Sequence, residues 1–264
     1  MTSPLVLLDV QDGIATLRLH NPLRRNAVSA SMWRLLHAAA GELSARSDVR
    51  VVLLRGEGSL AFSAGADIGD FAAARAGTDQ AQQYDDMVEQ ACRAFEAIAQ
   101  PTVAMVYGPC VGAGASLAAS CDLIAAADDA FFAVPAARLG LGYDVRGVAR
   151  FLRVWGVRAT RELLYTAQRM PAARAHQLGM VQTLAPAPQL EQQGYALART
   201  IVANAPLTVQ AAKVAIRAHT GAAGSPAGLL ERAQLLAGAA DASADYAEGR
   251  QAFAEKRAPR FNGS

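Results

Sequence analysis

Cysteine is scarce. Cys92, Cys110 and Cys121 are the whole complement in 264 residues, too few and too scattered for a disulfide framework or a paired-cysteine metal knuckle. The four histidines, His20, His37, His176 and His219, include no pair at ligand spacing, so they read as structural residues and no metal site is expected. Charge is sparse at 18% and nearly balanced, 25 Lys and Arg against 23 Asp and Glu, which leaves no strongly basic face and no case for a nucleic-acid partner. The opening MTSPLVLLDVQDG lacks a basic region and meets Asp9 early, so no secretory leader is expected and the chain reads as cytoplasmic, in a reducing compartment. Residues 97–121 carry no charge and match a membrane span in length. Pro101, Pro109, Gly108, Gly112 and Gly114 interrupt them, which predicts a buried strand, a loop and a buried helix, with no membrane partner. The remainder is 52% hydrophobic, enough for one large domain or a core with a small appendage.

Patterning gives an order of elements. Residues 5–10 and 14–19 are strand-like around Gln11-Asp12-Gly13, a hairpin signal. Asn21 to Asn26 reads as a loop, and Ser29 as the cap of a helix with Met32, Leu35, Leu36, Ala39 and Leu43 on one face. Val49 to Leu54 predicts a buried parallel strand, and Met87, Ala91, Phe95 and Ile98 a second amphipathic helix stopped by Pro101. Another strand at Val103–Tyr107, a short helix of small residues at Ala113–Ser120 and strands near 122–126 and 131–134 follow. From Val145 the chain reads as helical to its end, broken at Pro171, Pro186, Pro206 and Gly221–Pro226. Strand–helix alternation followed by a helical tail predicts an α/β core with a C-terminal helical layer.

Two strand-to-helix joints carry the candidate chemistry: Phe62 to Ile68, and Tyr107 to Ser116. A helix start has unpaired N–H groups and partial positive charge, and Ala and Gly let a substrate approach that backbone. If the joints converge they make a two-donor hole for a developing oxyanion; otherwise their small residues serve tight helix–sheet packing. Gly112-Ala113-Gly114 is a poor dinucleotide fingerprint because Leu117 stands where a third glycine belongs, and no lysine follows to make a phosphate loop. Gly114-Ala115-Ser116-Leu117-Ala118 is a near miss to a nucleophile elbow, with His176 and His219 as candidate bases. Arg146, Arg150 and Arg153, then Arg158 and Arg161, suit either an anion groove or, as successive helical turns more commonly are, a solvated face.

In chain order these segments resemble the crotonase (enoyl-CoA hydratase/isomerase) superfamily. Asn21-Pro22-Leu23-Arg24-Arg25-Asn26-Ala27 resembles its N-terminal loop, without the usual Arg between Asn and Pro. Phe62–Ile68 resembles its F-x-A-G-A-D-I loop and Tyr107–Asp122 its glycine-rich segment. Phe132–Gly140, Leu178–Val181 and Phe253–Arg257 also fit. The resemblance implies a spiral of ββα units over residues 1–200, with residues 201–264 forming helices that assemble a homo-trimer or a dimer of trimers. It implies an acyl-CoA thioester as substrate with no separate cofactor, since coenzyme A is part of the substrate. The oxyanion donors would be the backbone N–H groups of Ala66 and Ala113. Ala27, Ala64, Asp67, Ile68 and Gly112 would border the CoA arm, with Arg24 or Arg25 at its phosphates and Phe253 and Lys256 reaching over from a neighbouring subunit.

The departures bear on the reaction. The two glutamates that hydratases of this family use as acid and base map onto Ser116 and Ala136. Hydration needs one group to activate water and another to protonate the α-carbon. The nearby turn Leu139–Asp144 resembles that of methylmalonyl-CoA decarboxylase, with a functional tyrosine at Tyr143, and that of 4-chlorobenzoyl-CoA dehalogenase, with a nucleophilic aspartate at Asp144. The plainer alternative is a Gly-Tyr turn with Asp144 capping the following helix. These residues favour decarboxylation, then hydrolysis or substitution through Asp144. A non-catalytic CoA-binding protein of the same fold is the alternative from another class.

Overall fold

The computed structural model describes residues 5–70, 77–221 and 226–264. Strands β1 (Leu5–Gln11) and β2 (Ile14–His20) form the expected hairpin, turned by Asp12 and Gly13 at φ 52° and 78°. Tight hairpin turns need left-handed backbone, which Asp and Gly accept more readily than most residues. Helix α1 (Ala30–Ala45) is capped by Ser29, whose Oγ accepts the Met32 N–H at 3.2 Å. It buries Met32, Trp33, Leu36, Ala40 and Leu43. Leu35 and Ala39, placed on that face by spacing, are not part of it: Leu35 is exposed and Ala39 half-buried. The bulkiest side chain decides the rotation, because Trp33 turns inward and its Nε1 donates to Tyr84 Oη at 3.3 Å.

The chain continues through β3 (Val51–Gly56), α2 (Thr78–Ala97), β4 (Thr102–Val106), β5 (Pro109–Val111), α3 (Ala113–Ala119), β6 (Leu123–Ala127), β7 (Phe131–Ala133) and α4 (Val145–Thr166). Then come β8 (Met170–Pro171), α5 (Ala172–Gln177), β9 (Thr183–Ala185), α6 (Leu190–Val202), α7 (Pro206–His219), α8 (Pro226–Asp241) and α9 (Ala244–Glu255). Successive turns of this α/β spiral place one strand in a six-stranded sheet, ordered β1-β2-β3-β4-β6-β9, and a shorter extended segment in a second layer, β5-β7-β8. After the first hairpin every pairing in the large sheet is parallel. The second layer extends back to the loop after β3, through a bridge between Ser63 and Cys110.

Parallel sheets are covered on both faces, which explains the unbroken apolar runs of β3 and β4. One face sends Leu17, Leu19, Val52 and Leu54 into a core with Trp33, Leu36 and Phe95. The other packs Ile14, Val51, Leu53, Val103 and Met105 against Ala198, Tyr195 and Ile201 of α6. That helix lies so close that a Cβ on Gly194 would meet Met105 Sδ at 2.6 Å. The uncharged run becomes β4, β5 and α3, and among the described residues no helix is long and apolar enough to cross a membrane.

Three expectations need correction. Val49 is buried but precedes the strand, because the Arg50 N–H turns to the Gly13 carbonyl at 2.7 Å. The half beginning at Val145 is not wholly helical: β8 pairs with β7, and β9 extends the large sheet beyond β6. Strands of two and three residues are too short to imprint a period of two on the sequence. The second helix buries Tyr84, Ala91, Cys92 and Phe95, with Met87 only half-buried and Ile98 just past its end. The breaks at Pro171, Pro186 and Pro206 fall at element boundaries, whereas most of the Gly221–Pro226 break lies outside the described residues.

The C-terminal helices are fastened by a buried cation. Lys213 Nζ donates to the Gln100 carbonyl (2.9 Å) and to Asp122 Oδ2 (2.7 Å), and the same Asp122 oxygen accepts the N–H and hydroxyl of Thr102. Helix α7 is thereby tied to the starts of β4 and β6. Lys213→Ala removes two charge-assisted bonds and is expected to cost about 2 kcal/mol. Calorimetry should then record a melting temperature lower by roughly 4–8 °C.

Candidate active site

The site begins with a ribbon of extended backbone. The Val28 N–H donates to the Gly65 carbonyl (2.8 Å) and the Asp67 N–H to the Val28 carbonyl (2.9 Å). Both bonds belong to the residues flanking Ala66, so the Ala66 N–H is turned away from Val28. On the other side, Ser63 N–H reaches the Pro109 carbonyl and Val111 N–H the Ser63 carbonyl, each at 3.0 Å. Asn26 braces the loop from beneath, its Nδ2 donating to the carbonyls of Ala61 (2.8 Å) and Glu57 (3.1 Å).

Helix α3 starts beside this ribbon. Gly112 precedes it at φ 50°, ψ −104°, a conformation hostile to a side chain, and its N–H donates to the Ala133 carbonyl at 2.9 Å. A Cβ on Gly114 would meet Ser63 Cβ at 2.9 Å, so only glycine lets α3 press this closely on the ribbon. Ala113 is the first helical residue and has no intrahelical acceptor for its N–H. Among the described residues, neither the Ala66 nor the Ala113 N–H has a hydrogen-bond partner, and both residues border one cavity of about 270 Å³. The two joints therefore converge. Two such donors can stabilise negative charge developing on one oxygen.

Ser116 and Ala136 border the same cavity. Ser116 lies one turn into α3, and Ala136 in a short 3-10 helix, Pro135–Leu139. Ser116 Oγ and Tyr143 Oη are 2.9 Å apart. The Tyr143 ring stacks on Phe151 (5.6 Å between centroids), which stacks on Trp155 (4.6 Å), which in turn meets Phe132 edge-on. Gly147 makes room for the tyrosine, since a Cβ there would come within 2.8 Å of its Cε1. Burial raises the Tyr143 phenol to about 12 despite the opposing hydrogen bond from Ser116. It is therefore a neutral donor or acceptor at ordinary pH.

Asp144 also borders the cavity, and it caps α4 by accepting the Arg146 N–H at 2.7 Å. Arg146 Nε and Nη2 clamp both its oxygens at 2.5–3.0 Å, while Nη1 reaches Asp86 at 2.6 Å. The Arg146 hydrogen bonds hold this carboxyl below its ordinary range.

The arginine series is not a uniformly solvated face. Arg150 is 3% exposed, paired with Glu89 (2.7 Å) and Glu96 (2.5 Å), and Arg153 joins Glu96 at 2.8 Å. Sequence reasoning missed Glu89, Trp33 and Tyr84 as cavity residues; Glu89 and Arg93 at helical i, i+4 spacing was the one available sign.

Of the residues assigned to CoA, Ala64, Ile68 and Gly112 border the cavity. Ala27 is buried, and Asp67 is paired with Arg24 and accepts from Gly69 N–H at 3.0 Å. Arg25 is exposed in left-handed backbone, and Phe253 and Lys256 lie exposed at the end of α9, away from the cavity lining in this chain. His176 Nδ1 lies 2.7 Å from the Val181 carbonyl, and neither it nor His219 lines the cavity with Ser116.

A sequence profile of the family described as enoyl-CoA hydratase/isomerase matches residues 9–264. The crystal structure of an enoyl-CoA hydratase/carnithine racemase from Magnetospirillum magneticum is similar throughout, with a TM-score of 0.90 and 34% identity, covering 100% of this chain and 97% of that one. Methylmalonyl-CoA decarboxylase of Escherichia coli is 31% identical over 251 residues, 95% of each chain. The 2,3-dehydroadipyl-CoA hydratase of the same organism is 30% identical over 258 residues, 98% of each. Relatives at equal distance thus carry names of different reactions.

A phenol that resists ionisation in the fold favours the folded state up to about pH 10, the unfolded value, and that advantage is lost as pH rises through the folded value. Absorbance titration at 295 nm should show this directly. The difference between the native chain and Tyr143→Phe is expected to stay flat through about pH 10.5, where an ordinary tyrosine is more than half ionised.

Proposed function

This chain belongs to the enoyl-CoA hydratase/isomerase family, and we propose that within it the chain decarboxylates an acyl-CoA thioester of malonyl type through an enolate. One observation carries the reading: the cavity that holds two unpaired backbone N–H groups is bordered by Ser116 and Ala136, the positions that the family resemblance assigns to the hydratase acid and base. Loss of CO₂ requires no base. The bond between the α-carbon and its carboxylate breaks, its electron pair passes into the thioester as an enolate, and the charge settles on the carbonyl oxygen. The Ala66 and Ala113 N–H groups are the donors for that oxygen. A solvent-derived proton then returns to the α-carbon.

The neutral Ser116–Tyr143 pair suits this chemistry, because it can orient a carboxylate by hydrogen bonding. The clamp of Arg146 speaks against attack by Asp144, whose lone pairs are directed to the guanidinium. Ala64, Ile68 and Gly112 supply the small and apolar border along which the CoA arm lies.

Ala113→Pro removes one donor at a helix start that tolerates proline, and should lower turnover roughly 10²–10³-fold, about 2.7–4 kcal/mol. Ala113→Gly keeps the N–H and should stay active. A folded proline variant with near-normal turnover would overturn the donor assignment.

Incubation with malonyl-type thioesters and with crotonyl-CoA, read by mass spectrometry, decides the reaction. Decarboxylation is expected to exceed hydration, Tyr143→Phe to slow it about tenfold, and Asp144→Asn to retain it. Rapid crotonyl-CoA hydration indifferent to Tyr143→Phe would sink the decarboxylase reading. An acyl-aspartate trapped on Asp144 would replace it with nucleophilic substitution. CoA binding without turnover of any class would mark a non-catalytic member.

A further inference from the structure

The cavity's inner wall carries a charge that neither the oxyanion donors nor the hydroxyl pair uses. Arg150 and Gly147 lie on α4, Tyr143 just before its cap, and all three border the cavity. Its Nε is given to Glu96 and its Nη2 to Glu89, whereas Nη1 makes no hydrogen bond among the described residues. Nor is Nη1 among the buried atoms sealed away from every partner, so the 3% of Arg150 that is exposed has the cavity to open on.

Both carboxylates that hold Arg150 are shared with a second guanidinium. Arg93 takes the second oxygen of Glu89 at 2.6 Å and Arg153 the second oxygen of Glu96 at 2.8 Å, so three guanidinium groups share two carboxylates. Asp144 and Asp86 are held by Arg146, and Asp85, one turn before Glu89, is itself partnered. A buried guanidinium N–H left without an acceptor disfavours an aliphatic chain against it and favours an oxygen, most of all an anionic one.

We propose that Arg150 is the specificity-determining residue of the acyl site, and that it selects acyl groups bearing a carboxylate over uncharged acyl groups. This rests on the acyl-CoA reading above and narrows its substrate class. The recognised carboxylate is either the one on the α-carbon that departs or one at the far end of a dicarboxylic chain. If it is the departing group, Arg150 holds a charge that disappears in the transition state, so it contributes to ground-state binding and not to the chemical step.

CoA thioethers test this without turnover, because they can neither decarboxylate nor be hydrolysed. Calorimetric titration compares S-alkyl-CoA with S-(carboxyalkyl)-CoA of equal length, in a short series that mimics the α-carboxylate and a longer one that mimics a distal carboxylate. At least one carboxylated series is expected to bind tenfold or more tightly than its uncharged match, and the series that does so identifies the source. Arg150→Gln should abolish that preference, and Glu89→Gln, which removes a negative charge beside the guanidinium, should widen it. The opposite directions separate recognition from damage to the fold. With a decarboxylating substrate, Arg150→Gln should raise KM at least tenfold and leave kcat unchanged or higher. Equal binding of charged and uncharged thioethers by the native protein would overturn the selection by Arg150 while leaving the CoA reading intact. Failure of every CoA thioether to bind would overturn that reading itself.

Discussion

Everything at the site depends on leaving two backbone N–H groups unpaired inside a folded chain. Buried amides are normally satisfied, so an unpaired donor is costly unless the surrounding structure enforces it. Here parallel pairing enforces it at Ala66, because Val28 bonds to the residues on either side. Helix geometry enforces it at Ala113, since a first helical residue has no acceptor one turn back. The glycines are consequences of this constraint. Gly112 accommodates the reversal into α3, and Gly114 lets the helix press on the ribbon that carries Ala66. Asn26 completes the arrangement by satisfying the carbonyls of Glu57 and Ala61 beneath the loop.

Around this backbone device the wall is built from two kinds of support. The stack of Tyr143, Phe151, Trp155 and Phe132 uses helical spacing on α4 to hold the phenol against Ser116, where dispersion and ring contacts give a fixed orientation. The arginine–glutamate cluster between α2 and α4 uses charge. Burying such groups is expensive, and replacing whole ion clusters with apolar side chains is often neutral or stabilising. Arg150, Glu89 and Glu96 are the deeply buried members of this cluster, and Arg150 and Glu89 border the cavity.

Relatives with different reaction names at similar identity fit this division of labour. On the proposed reading the backbone donors serve any thioester whose carbonyl oxygen gains charge, and the side chains on the opposite wall decide which bond breaks.

The sequence by itself determined most of the element order before Val145, the two strand-to-helix joints and the family, because apolar periodicity, small residues at helix starts and ordered motifs are local properties. It also determined that Ser116 and Ala136 bring no carboxylate, since identity at a position needs no coordinates. Only the tertiary structure decided that Asp144 is held by Arg146, that Trp33 and not Leu35 turns inward, and that β8 and β9 break the helical half. The fate of Arg150 was equally hidden. An arginine on a helical face is written identically whether it meets solvent or a buried glutamate, and Glu89 and Glu96 lie 61 and 54 residues away in the chain. Local pattern is set by the chain's own geometry, whereas pairing of charges depends on which distant helix the packing of the core brings alongside.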